Sequence, residues 1–221
     1  MKKLLYLICF LFLFAGCGSN KRPPWLIFGI NQLDSYKEYC LTDRKKSGAE
    51  SHFKDALNEL KKSGNLDLMQ KAWLTQMAMQ VALLMEPDAG DYRKLADLNP
   101  IPANENYYLF LNGDIYSVNE SLLPSKYGDF LKSLKINDIT EIEKAIDSMK
   151  EEPVSRLIAA GIAVHRKKES EMIIQAAIDT SSQNGWKAAL LKWMERQADY
   201  YESAGNASRA AKVRRHMDLI E

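Results

Sequence analysis

The sequence predicts a mainly α protein of stacked antiparallel helical hairpins with one β-hairpin insertion. Three observations predict it. From Glu50 onward apolar side chains recur at helical spacing in successive runs. The pairs Gly64-Asn65 and Gly205-Asn206 separate such runs as a left-handed stop followed by an N-cap. Asn112-Gly113 lies between two apolar, aromatic, β-branched runs, the pattern of a two-residue hairpin with a type I′ turn.

The chain opens on Lys2-Lys3 and the unbroken apolar run Leu4 to Phe14. That run is shorter than the roughly 20 residues a membrane-crossing helix needs, so residues 1–16 read as a signal peptide. It ends Phe14-Ala15-Gly16-Cys17, which resembles the lipobox of bacterial lipoproteins, although Phe14 stands where an aliphatic residue is usual. The resemblance implies that Cys17 is lipidated and becomes the mature N-terminus. It also implies that the membrane is the first partner, through an N-terminal lipid anchor. Gly18 is not the aspartate that signals inner-membrane retention in Gram-negative lipoproteins, which favours the outer membrane, facing the periplasm. Residues 17–25 form the acylated tether, so brief that the body must sit close to the bilayer.

The body is expected as a helical domain over 26–150 and helical repeats over 151–221. "WLIFGINQLDSYKEYCLTDR" is an apolar, aromatic opening that reads as strand or short helix, packed on the domain. "ESHFKDALNELKKSGN" is a helix with Phe53, Ala56, Leu57 and Leu60 on one face. The next helix, Leu66 to Met85, is apolar on nearly every side, as buried helices are. Its methionines suit either core filling or an adaptable groove. Pro87 ends it, and one short helix at most precedes Pro100 and Pro102. The β-hairpin is placed near 107–118, against helices or the "WLIF" segment. Helix resumes with Phe130, Leu131 and Leu134. Asp138 and Glu141 are spaced as a capping box before the stripe Ile139, Ile142, Ala145, Ile146 and Met149. Pro153 suits the first turn of another helix, and three more follow to the C-terminus.

Composition excludes some functions. The 221 residues carry 30 Lys and Arg against 29 Asp and Glu, a formal charge of +1; this balance argues against a nucleic-acid partner. The histidines His52, His165 and His216 are scattered and outside any HExxH spacing. Ser121, Ser125 and Ser133 lack the G-x-S-x-G elbow, and neither a P-loop nor G-x-G-x-x-G occurs. No catalytic residue, metal or cofactor is expected, and the chain reads as a non-enzyme. With Cys9 in the leader and Cys17 acylated, Cys40 has no intramolecular partner; it is either buried or pairs between chains.

A repeat is visible near the C-terminus. Ala176 and Ala177 precede Ala210 and Ala211 by 34 positions, and Val164 precedes Ala198 by as many, the tetratricopeptide period. The segment Lys187 to Ile220 resembles one such repeat. Ala198 and Ala210 stand at its small positions, Tyr201 at its aromatic position and Gly205-Asn206 at its turn; Arg214 and Met217 depart from the pattern. The resemblance implies a concave face on the first helix carrying Lys192, Glu195, Asp199 and Glu202 as the candidate binding residues. It further implies a protein-binding scaffold in the envelope, with an envelope protein as partner. The alternative is a surface or exclusion lipoprotein that binds an envelope component without a repeat groove.

Overall fold

The computed structural model describes residues 22–42 and 46–220; the leader and Cys17 lie outside them. The described chain is mainly α. Eleven α-helices are described: α1 Pro24–Thr42, α2 Lys46–Lys61, α3 Leu66–Ala82, α4 Gly90–Leu98, α5 Pro102–Leu111, α6 Gly128–Ile136, α7 Ile139–Asp147, α8 Pro153–His165, α9 Glu171–Gln183, α10 Lys187–Ser203 and α11 Ala207–Ile220.

The undecided opening segment is α1, a full helix. Its Gly29 faces Leu60 of α2, where an added Cβ would sit 3.1 Å from Cδ2. On α2, Phe53, Ala56, Leu57 and Leu60 are all buried, as the spacing requires. Gly64 has φ +64° and the Asn65 side chain accepts from the amides of Asp67 and Leu68, so stop and cap both form. Within α3 only Lys71 is exposed, because five helices pack around it: α1, α2, α4, α5 and α8. Its buried Gln70 donates to the carbonyls of Leu95 and Asn99 and accepts from Asn104, satisfying the end of α4.

The β-hairpin is absent; there is no strand among the described residues. The segment expected as its first strand is α5. Pro102 occupies the first turn of this helix, where its missing N–H costs nothing, so the proline pair starts a helix rather than merely ending one. Asn112 has φ −75° and ψ −4°, not the positive φ of a type I′ turn. Gly113, at φ +73°, closes the helix instead: its N–H donates to Phe110 and that of Asp114 to Leu109, the paired bonds of a Schellman motif. The second apolar run plugs the core as an irregular loop, with Ile115 and Val118 buried. Asn106 holds that loop by donating to the Asn119 carbonyl and accepting from the Asn119 amide at 2.6 Å.

From α8 to α11 each helix packs on the next across short turns. Two further contacts cross the chain, α3 with α8 and α1 with α10. At the first, a Cβ on Gly161 would lie 2.1 Å from the Val81 carbonyl oxygen, so only glycine permits this backbone approach. Burial does not follow the 34-residue spacing: Val164 is half-buried where Ala198 is buried, and Ala177 is buried where Ala211 is exposed. Ala198 and Ala210 are buried, but Ala176 is only half-buried while its neighbour Ala177 is fully so.

Candidate functional site

Trp193 decides which way α10 faces. Its indole, fully buried, donates from Nε1 to the Ala82 carbonyl at 3.0 Å, pinning α10 to the last turn of α3. With Ala189, Trp193, Gln197 and Ala198 turned inward, the 3.6-residue period turns Lys192, Glu195, Asp199 and Glu202 outward. All four expected binding residues are exposed along one stripe.

Beside that stripe, α1, α2, α3 and α10 enclose a cavity of about 360 Å³. Its apolar wall is Tyr36, Ala49, Met79, Leu83, Ala188 and Leu191, and its polar margin includes Glu50, Gln80, Lys192 and Glu195. A second cavity of about 290 Å³ shares Leu83, Met85, Lys192 and Glu195 with the first, and adds His165, Arg196 and Asp199. The two are therefore one groove along the α3–α10 seam. Met85, 38 % exposed, lines both parts.

The structure divides the four stripe residues. Lys192 and Glu195 pair at 2.9 Å and line both parts of the groove. Asp199 lines only the second, and Glu202 neither. Both are engaged from α11 by Arg214, which bonds Glu202 and approaches Asp199 at 3.6 Å. The Arg214 hydrogen bond holds the Glu202 carboxyl below the usual range.

Cys40 is half-buried and lines the first cavity. Burial pushes its thiol pKa up, against a hydrogen bond with Tyr36 that acts the other way. Burial likewise pushes the Tyr36 hydroxyl far up, with Cys40 and Glu50 adding to it. In the second part, burial lowers the pKa of His165, with Glu86 opposing. Among the described residues no group of three or more His, Cys, Asp or Glu is placed to hold a metal ion.

The four residues on α10 were expected from the tetratricopeptide resemblance, whereas the opposite wall was not expected at all. Tyr36 and Cys40 on α1 and Ala49 and Glu50 on α2 face the stripe through packing, α1 on α10 and α1 on α2, that leaves no trace in local periodicity. Methionine content was the available signal: Met79 and Met85 both line the groove, although Met77 and Met79 are also core. No protein-family model, curated protein or solved structure matches the chain. Among the described residues no helix is long and apolar enough to cross a membrane.

Proposed function

We propose that this chain is a lipoprotein anchored through Cys17 in the cell envelope, at the outer membrane and facing the periplasm. Its body, a tetratricopeptide-like stack of helical hairpins, serves as a scaffold that captures an envelope protein. One observation carries the binding part: a groove with apolar walls, edged by the exposed pair Lys192 and Glu195 on α10. Such a site suits a peptide segment with an apolar anchor and polar flanks. The chemistry is recognition, not turnover.

The anchor and the groove are tested separately. Cys17→Ser should release the protein to a soluble fraction or leave it uncleaved; unchanged partitioning into detergent would remove the lipoprotein reading. Reversal of Glu195 and Asp199 to Lys should abolish partner capture from envelope extracts while leaving the melting temperature nearly unchanged. Capture that survives would place the binding surface elsewhere. The rival, a lipoprotein that binds without a repeat groove, is favoured by the unequal burial of Ala176 and Ala210 and by the packing of α1 on α10. Retained capture by the double reversal is its expected result.

A further inference from the structure

The N-terminal turns of α1 present an apolar surface away from the body. Gly29 packs on Leu60, and Trp25 and Leu26, four and three positions earlier, share its side of the helix and pack against the core. Ile27 and Phe28 fall elsewhere on the circumference and are each 47 % exposed, next to exposed Pro23 and Pro24. Farther along α1 the exposed positions are Asn31, Asp34, Glu38 and Tyr39, the last with its ring 4.6 Å from that of His52. The exposed side chains with no polar atom are thus confined to the end from which the tether departs, with exposed Arg22 beside it.

We infer that Pro23, Pro24, Ile27 and Phe28 form a membrane-contact face, seated at the boundary between lipid headgroups and acyl chains. The inference rests on Cys17 being the lipidated residue. Trp25 follows Cys17 by eight positions, so even a fully extended tether keeps it within about 29 Å of the acyl chains. Interfaces take aromatic and aliphatic side chains on the acyl side and Lys or Arg at the headgroups, the order that Lys21-Arg22 followed by the apolar turn provides. Asp34 and Glu38, toward the other end of the helix, are disfavoured at an anionic surface and point to a helix that meets the bilayer by its tip. The face would thereby set the orientation of the body, and with it the height at which the groove is offered.

Bromolipid quenching tests this. The mature acylated protein is reconstituted into phosphatidylethanolamine–phosphatidylglycerol vesicles with acyl chains brominated near the carbonyl, floated on a density gradient, and its tryptophan emission compared with that in unbrominated vesicles. Trp186 and Trp193 are buried and Trp73 packs on Phe53, so the Trp25 share is obtained by difference from Trp25→Phe. That share is expected to fall about twofold, the depth of an interfacial helix. Ile27→Asn with Phe28→Asn should restore it without moving the thermal melt. A protein that floats while both Trp25 and a tryptophan placed on the face itself by Phe28→Trp stay unquenched overturns the membrane face and leaves the lipoprotein reading intact. So does a concentration-dependent shift of Trp25 emission without lipid, which would assign the face to a second copy of the chain. A protein that fails to float overturns the lipoprotein reading and this face together.

Discussion

The α3–α8 seam and the α10–α11 pair both bring helices together over small side chains, with opposite chemistry around them. At the seam Gly161 meets the Val81 backbone, and the neighbouring Ala82 carbonyl is occupied by the Trp193 indole; nothing there reaches water. Between α10 and α11 the small residues Ala198 and Ala210 are buried, but charge surrounds them. Glu171 accepts from Tyr201 at 2.8 Å and from Arg209, whose guanidinium lies 4.0 Å over the Tyr201 ring. On the other side Arg214 joins Asp199 and Glu202. A buried close approach is worth its full packing energy, whereas exposed pairs are screened and contribute little. The seam therefore holds the two halves of the chain together, and the pair keeps its charge at the surface.

The seam is the place to break the molecule. Gly161→Ala puts a methyl 2.1 Å from a carbonyl oxygen that belongs to backbone and cannot rotate away. A loss of about 3 kcal/mol or more is expected in denaturant melts, since overpacking of this kind forces the helices apart. Trp193→Phe is milder. It leaves the Ala82 carbonyl without its donor and a void beside it, and should cost about 2 kcal/mol; a smaller loss would mean that α10 is held mainly by α11.

Helix ends give intermediate effects of both signs. Gly113→Val forces a β-branched residue to φ +73° and brings its Cβ within 3.3 Å of Arg166 Cγ, so about 1–2 kcal/mol should be lost. Lys167 occupies the same left-handed position after α8 at φ +56°, with the Lys168 N–H donating to Ala163. Lys167→Gly is expected to stabilise by about 0.5 kcal/mol, the strain relieved less the entropy glycine adds to the unfolded chain.

The smallest effects belong to the charged regions. Arg214→Gln should leave the melting temperature almost unchanged, while the Glu202 carboxyl, followed by NMR, returns toward its ordinary pKa. His165 has its folded pKa below its unfolded one because burial penalises the imidazolium. The unfolded chain therefore binds more protons as pH drops past about 6.5, and stability falls from there until the folded imidazole also titrates. His165→Gln should flatten that part of the pH profile.

Local information specified the helices where two signals agreed. The buried stripe of α2, the Gly64-Asn65 turn and the Asp138 cap, which accepts from Thr140 and Glu141, are all read from neighbouring residues because capping and periodicity act within one or two turns. Where two local signals competed, the nearest was the wrong guide. Asn-Gly suits both a type I′ hairpin and a helix terminus, and Pro102 with the buried face of Tyr108 and Leu111 decided for the terminus.

By itself the sequence determined the mainly α class and most helix boundaries after Glu50, consequences of spacing along one chain; the stripe of Lys192, Glu195, Asp199 and Glu202 was only what the tetratricopeptide resemblance implied. Only the tertiary structure decided that α1 lies against α10, that Trp193 reaches Ala82 across 111 positions, and that Tyr36, Cys40 and Glu50 complete a groove with Lys192 and Glu195. The physical reason is that a groove wall is made by side chains remote in sequence. Their meeting depends on how closely backbones can approach, here on the missing Cβ of Gly161, and no periodicity records that.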